Sequence, residues 1–527
     1  MGKTALFAAV ILLSAASVRG QFAPANPFGG SAASAPDGQG PIDKLVFARL
    51  GRLGIKPANV CSDAVFLRRI YLDVIGTLPT AKEARDFLQD ASPDKRRALI
   101  DRLLARPEFA DYWAMKWSDL LRVKAEFPIN LWPNAAEIYH RWIRAGIKEN
   151  KPYDRFAREL LTASGSNFAV PEANFYRAVQ SKDPNTIAKA VALTFMGCRL
   201  EKWPKDRQEA MAAMFAQVGY KYTAEWKEEI VFFDPTKACP AGGAARQAML
   251  PDGTKVQLAP DRDGREVFAD WLISPKNQWF ARNIVNRAWC WLVGRGIIHE
   301  PDDIRPDNPP GYPELLALLE RELVGARWDI KAVFRLILNS RTYQLSTIPA
   351  SDNPQAEAEF ACYGLRRLEA EVLIDAICQI TGTTEKYTSA IPEPFTFIPE
   401  KQRSIALADG SITSSFLEMY GRPARDTGLE SERNNRPTPS QRLHLLNSSH
   451  IQRKIEQGWK IQALLKSKAT PREMVTMIYL TILSRLPTAE ELKIVGDYST
   501  TSSAKGREAA VDLVWALVNS TEFLYRH

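Results

Sequence analysis

Between residues 265 and 345 apolar positions recur at helical spacing and break at glycine and proline. Val267, Phe268, Trp271 and Leu272 stand at i, i+1, i+4 and i+5, and Phe280, Ile284, Val285, Ala288 and Leu292 repeat the stripe. This spacing predicts two amphipathic helices. The second carries Arg282, Asn283, Asn286 and Arg287 on its other side, a polar face that needs partners. Gly294 and Gly296 predict its end, because glycine takes the left-handed turn after a helix at little cost. A third helix is expected from Pro313, a favoured first position, with Leu315, Leu316, Leu319 and Leu323 as its stripe. The intervening HEPDDIRPDNPPGYP holds Pro301, Pro306, Pro309 and Pro310, which forbid a helix and keep the loop extended.

Earlier in the chain Ser62 is placed to cap a helix with Val65, Phe66, Ile70 and Val74 inward and Arg68, Arg69 and Asp73 outward. It runs into IYLDVIGTLPTAKEA at residues 70–84, and IYLTILSRLPTAEEL at residues 478–492 repeats the pattern. Thr80 with Glu83, and Thr488 with Glu491, read as capping boxes. A Glu-Phe pair follows each copy by some thirty residues, Glu108 with Phe109 and Glu522 with Phe523. The chain therefore holds an internal repeat of helix, Leu-Pro turn and helix, expected to be duplicated or mutually packed. Further helices are expected from Pro93, near Pro107, over residues 135–148, from Tyr153, over 185–198, after Asp329 and over 369–380. Ser164 to Asn167 form a polar stop with no histidine base implied nearby, so no nucleophile is assigned there.

Only residues 226–262 change character. EIVFFDP, Gly242 with Gly243, and an Asp252-Gly253 turn between alternating residues predict a small β element. The expectation is a mainly α protein of two helical domains, 41–225 and 263–527, joined by a β-containing segment at 226–262. Residues 1–20 read as a secretory signal peptide, with Lys3 ahead of an apolar core too short for a bilayer span of about 20 residues. Residues 21–40 read as a flexible linker. The mature chain is thus expected to be exported, whether periplasmic, cell-surface or secreted, with no transmembrane segment.

Composition narrows the chemistry. The formal charge is +8, and removing Lys3 and Arg19 with the leader leaves +6. Spread over some 500 residues, with no dense basic run, this gives no footprint for nucleic acid. It is compatible with an acidic polymer or partner. Six cysteines include no C-x-x-C, and their pairing is not deducible. No H-E-x-x-H, G-x-S-x-G or phosphate-cradling glycine loop is present.

The candidate binding residues are Arg282, Asn283, Asn286, Arg287, Arg305 and Asn308, joined by Arg422 and Arg425 of GRPARDTGLESERNNRP. That second stretch alternates charge and also reads as a solvated, self-paired loop. Asp302, Asp303 and Asp307 are the one carboxylate cluster nominated for catalysis, since glycoside hydrolysis needs two carboxyl groups about 5 to 9 Å apart. The same Asp and Asn also serve as ordinary loop caps. Trp271, Trp279, Trp289 and Trp291 are either a sugar-stacking platform or core.

FLRRIYLDVIGTLPTAKEARDFL, RALIDRLLARPEFADYWAMKWSDLLR and NKPYDRFARELLTASGSNF resemble the N-terminal domain of a planctomycete and verrucomicrobial secreted family of unknown function, called cytochrome-associated. DGREVFADWLISPKNQWFARNIVNRAWCWLVGRGI, RPDNPPGYPELL, LILNSRTYQLS and RLHLLNSSHIQ resemble its usual C-terminal partner domain. Many relatives in that resemblance carry C-x-x-C-H after the helix corresponding to residues 188–197, a pattern implying haem or metal. Here the chain reads FMGCRLEKWPKDR, with Cys198 alone and no following histidine, and one cysteine cannot make two thioether links. The Arg-rich loop likewise reads GLESER, without the cysteine the resemblance implies. No cofactor and no metal ligand are therefore expected.

Three function classes follow. One is a non-catalytic envelope protein that binds another secreted protein, sulfatase-like or a cytochrome. A second is a haem-less accessory in electron transfer. The third is a carbohydrate-directed hydrolase or binder, since the resemblance places relatives beside sulfatase-like proteins and implies polysaccharide as the setting. Whether the protein is an enzyme stays open at this point.

Overall fold

The computed structural model describes residues 26–28, 40–237, 246–501 and 506–527. The signal peptide at 1–20, nearly all of the linker at 21–40, Cys239, Gly242 and Gly243 lie outside the described residues. The architecture is mainly α, with twenty-two α-helices among the described residues and only small two- and three-stranded sheets.

Buried apolar side chains from Ile42 to Phe523 form one contiguous cluster. Helix Phe280–Val293 sits within it, with Trp289 fully buried, and packs on helices Pro313–Gly325 and Ile330–Asn339. Its stripe thus faces the core as its 3.6-residue period requires. No helix among the described residues is long and apolar enough to cross a membrane.

Three of the strands fall within the expected residues 226–262, and the others lie outside them. Gly165–Ser166, Glu229–Phe233 and Val218–Tyr222 form an antiparallel sheet, with Gly165 and Tyr220 both opposite Val231. Arg246–Met249 pairs with Lys255–Leu258 as a hairpin. Its turn depends on Gly253 at φ 92° and on Asp252 Oδ1, which accepts from Thr254 N. A third pair, Arg366–Arg367 with Tyr525–Arg526, ties the C-terminal residues to the middle of the chain.

Both copies of the repeat form. Helices Asp63–Ile75 and Ala81–Gln89 make the first, Pro471–Ile482 and Ala489–Thr501 the second, and Ala81–Gln89 packs directly on Pro471–Ile482. Thr80 and Glu83 close a capping box. Thr488 and Glu491 do the same, with Glu491 N donating to Thr488 Oγ1 at 3.1 Å and Thr488 N to Glu491 Oε2 at 2.7 Å.

Three expectations need correction. Arg68, Arg69 and Asp73 do not face outward. They are buried, because helix Asp63–Ile75 is enclosed on nearly every side. Arg68 donates to Ile482 O and Phe523 O at 2.8 Å each, Arg69 to Tyr343 O and His527 O, and Asp73 accepts from Tyr343 and Tyr363.

The loop at residues 421–437 is not mainly a solvated, self-paired one. Arg425 meets Asp119 at 2.9 Å, Arg433 meets Asp119 and Glu371 at 2.7 Å, and Arg422 meets Glu371 at 3.6 Å, with the three arginine side chains and Glu371 buried. Carboxylates from distant helices draw the arginines inward, and buried charges persist where they are paired.

The helix expected over 185–198 is α only over Pro184–Val191 and continues as a π-turn over Ala192–Met196. The carbonyls of Leu193 and Thr194 accept instead from Arg287 and Asn283, and insertion of side chains into the ladder is a known cause of such turns.

Candidate functional site

The loop between helices Phe280–Val293 and Pro313–Gly325 is held from two sides. Asn286 Nδ2 donates to Ile298 O and its Oδ1 accepts from Ile298 N, at 3.0 and 2.9 Å. Asn308 Nδ2 donates to His299 O and Asp303 O, closing the loop on itself. Gly197, in the left-handed conformation, lets Ile304 N donate to Gly197 O at 2.9 Å; a Cβ there would fall 2.7 Å from Asn283 Oδ1.

The loop therefore lies against residues 198–207 and leaves a cleft of about 650 Å³, which Pro251, Asp252 and Trp279 also line. Arg199, Lys202, Arg207, Arg282 and Arg305 line it, against Asp252, Asp303 and Asp307. Trp203 and Trp279 form an aromatic wall, ring centroids 6.1 Å apart. Trp271 stands behind Trp279 and donates from Nε1 to Asp252 Oδ2 at 2.8 Å.

Most of the cations already have partners. Arg199 meets Glu300 at 2.9 Å, Lys202 meets Asp303 at 2.8 Å and Arg282 meets Glu320 at 2.7 Å. Arg305 pairs with both Asp303 and Asp307. Arg207 is exposed and makes no ion pair among the described residues. An anion entering the cleft would meet that free guanidinium and could exchange with the partly exposed carboxylates that hold the others.

Burial pushes the Asp303 pKa up, but hydrogen bonds from Lys202 and Arg305 outweigh it and hold the carboxyl below its usual range. Asp252 follows the same logic: burial raises it, and the Thr254 amide with Trp271 lowers it further. Cys198 lies beneath the cleft, its Sγ 3.0 Å from Ile304 O, and burial with nearby Asp303 pushes the thiol up to about 12. It is a structural thiol rather than a nucleophile, since the reactive form is the thiolate.

The nominated polar residues separate into three groups. Arg282, Asp303, Arg305, Asp307 and Asn308 reach the cleft. Asp302, Asn283, Asn286 and Arg287 lie behind its wall, fully buried. Arg287 meets Asp302 at 2.6 Å and donates to Asn283 Oδ1, while Asp302 Oδ2 accepts from Glu430 N. Arg422 and Arg425 belong to the interior network described above, remote in role from the cleft. Trp289 and Trp291 are core, whereas Trp271 and Trp279 are half-buried at the cleft's end.

Arg199, Lys202, Trp203 and Arg207 were not nominated from sequence. Their signal was present in the run RLEKWPKDR, one proline beside a tryptophan and two lysines between two arginines, but they converge on the loop only once the chain has folded back.

Residues 41–218 match the family model of PSCyt2, a protein of unknown function (DUF1549), and residues 264–499 match that of PSD1, a protein of unknown function (DUF1553). No curated protein and no solved structure matches the chain.

Proposed function

Because the chain belongs to the cytochrome-associated family built from the PSCyt2 and PSD1 domains, we propose that it is an exported binding protein whose cleft takes an acidic polysaccharide. The observation that carries this reading is the grouping of five cationic side chains with Trp203 and Trp279 around one open cleft of about 650 Å³. Guanidinium groups recognise carboxylate or sulfate in paired hydrogen bonds, and an indole face accepts the apolar face of a sugar ring. Binding is favoured over hydrolysis, since both nominated carboxylates that reach the cleft are engaged by cations, Asp303 by Lys202 and Arg305 and Asp307 by Arg305.

The test is calorimetric titration of the full chain with polygalacturonate, with a sulfated polysaccharide and with neutral dextran. Binding to the acidic polymers should weaken steeply with salt, and Arg207→Ala with Lys202→Ala should lower affinity about tenfold or more, at about 1.4 kcal/mol per tenfold. Equal binding of dextran, or no effect of the double substitution, overturns the reading.

A second reading, docking to another exported protein, has its own support. Phe127, Trp226 and Phe397 are 84, 67 and 74% exposed. Trp132 joins Trp226 and Phe395 at ring centroids 6.4 and 5.3 Å apart, with Lys227 over Trp132 and Trp226. Exposed aromatic groups of this kind mark interaction surfaces. Pull-down from the native envelope fraction, repeated with Trp226→Ala, tests it: a sulfatase-like enzyme or cytochrome recovered in fixed proportion and lost in the variant supports docking, and an unchanged yield removes this surface from consideration.

A further inference from the structure

Helix Pro439–Asn447 ends at Ser448, which caps the next helix, Ser449–Gln457. The abrupt join brings His444 and His450 ring to ring, centroids 5.7 Å apart. His450 Nε2 lies 2.9 Å from Glu385 Oε2, and Lys454 Nζ holds the same oxygen at 3.0 Å. A carboxylate that also pairs with a lysine accepts, so in the neutral imidazole the His450 tautomer that donates from Nε2 leaves the Nδ1 lone pair free.

That Nδ1 faces His444 Nε2 at 3.5 Å. The separation is at the outer limit for a hydrogen bond. It is close to the edge of about 3.4 Å between two nitrogens that each lie about 2.1 Å from one tetrahedral zinc ion.

We propose that His444 Nε2 and His450 Nδ1 form a two-histidine site for a borderline divalent transition-metal ion of the Zn²⁺ class, with Glu385 as its outer carboxylate. A carboxylate on the far nitrogen fixes the tautomer and ring direction of a metal-bound imidazole, which is the role Glu385 has toward His450. Phe416, stacked on Tyr420 at 4.1 Å, meets both imidazoles edge-on and sets their mutual tilt. No third His, Cys, Asp or Glu among the described residues completes a ligand set. The remaining positions are open to water or to donor atoms of an incoming molecule. The His450 side chain is 31% exposed, so the ion reaches it from solvent.

The site is tested on the full chain by calorimetric titration with zinc chloride. One ion per chain is expected, lost in His444→Ala and in His450→Ala, weakened about 10- to 100-fold in Glu385→Gln, and retained in His299→Ala. No saturable uptake, or uptake that survives both histidine substitutions, overturns the site. Selective ¹⁵N labelling of the five histidines supplies a readout on the unaltered protein. Zinc should move the ring resonances of His444 and His450 alone, and if those two stay in place the pair is a plain hydrogen bond and the proposal fails.

Discussion

Residues 70–84 and 478–492 share a sequence pattern and a fold, yet their ionic clamps are assembled from different places. In the first copy Arg106 joins the capping Glu83 to Glu108, at 2.8 and 2.5 Å. In the second Arg485 joins the capping Glu491 to Glu522, at 2.7 and 2.6 Å. Each guanidinium also lies over the matching tyrosine, Tyr71 at 5.7 Å and Tyr479 at 5.4 Å. Arg106 stands just ahead of its Glu-Phe pair, whereas Arg485 stands inside the Leu-Pro turn, where the first copy has Thr77. The fold requires a cation between two glutamates above a tyrosine, and it does not require that cation at one position in the chain.

The copies also differ in their surroundings. Helix Asp63–Ile75 is buried on nearly every side, while Pro471–Ile482 keeps a partly open face. Arg68 of the first copy satisfies Ile482 O, at the end of a helix of the second, and Phe523 O in the Glu-Phe pair that follows it; its counterpart, Thr476, bonds within its own helix, to Arg472 O. One copy is the support and the other is docked on it. The sharpest way to break that relation is Arg68→Ala, which removes two charged hydrogen bonds and leaves two buried carbonyls unpaired. A loss of about 3 to 5 kcal/mol is expected, read as a lower urea midpoint. A loss as small as that of an exposed arginine would mean that the copies are held by apolar packing alone.

This pair of regions also shows what was legible in the sequence. The capping boxes, the Leu-Pro turns and the apolar stripes are local, so spacing revealed them. The partners of Arg68, Arg69 and Asp73 come from some 270 to 460 residues away, and local periodicity has no means of distinguishing a polar face turned to water from one turned to a distant carbonyl. Asn283, Asn286 and Arg287 misled in the same way, since a polar helix face needs partners and here the partners are the protein's own loop and π-turn. Asp303, Arg305, Asp307 and Asn308 were legible as polar groups of a surface loop, although Asp302 beside them is buried, and Arg282 reaches the same cleft from its helix.

The two clamps should differ in worth because they differ in burial. The side chain of Arg485 is 5% exposed and that of Arg106 is 28% exposed. Arg485→Ala should cost about 3 kcal/mol by stranding two carboxylates, and Arg106→Ala about 1 kcal/mol. The acid limb of the stability curve sharpens the contrast. Burial raises the Glu491 pKa, but Arg485 outweighs it and holds the carboxyl below its unfolded value of about 4.3. A depressed pKa contributes stability that is complete above that unfolded value and is lost as pH falls through the folded one. Between pH 5 and pH 3 the stability of Arg485→Ala should therefore fall less steeply than that of the unaltered protein. Parallel curves would assign the clamp a packing role only.

The turn before each Leu-Pro holds a left-handed residue, Gly76 at φ 58° in the first copy and Ser484 at φ 61° in the second. Gly76→Ala should destabilise by about 2 kcal/mol, because the conformation disfavours a Cβ and the added atom would fall 2.5 Å from Tyr112 Cδ2. Thermal unfolding that is unchanged in this variant would show that Tyr112 yields freely.

Ser484→Gly asks the reverse question with the smallest effect. The second copy accepts a side chain where the first cannot, and that tolerance still carries the cost of a left-handed serine. The Ser484 hydroxyl is buried with no hydrogen-bond partner among the described residues, so its removal forfeits no bond there and relieves a polar group held away from water. Against this, glycine adds freedom to the unfolded chain. The relief should exceed the added freedom, giving a net gain of about 0.5 to 1 kcal/mol and a slightly higher midpoint. A loss would mean that the serine Cβ packs usefully against Arg485, and the two turns would then be equivalent in backbone but not in how each seats its clamp.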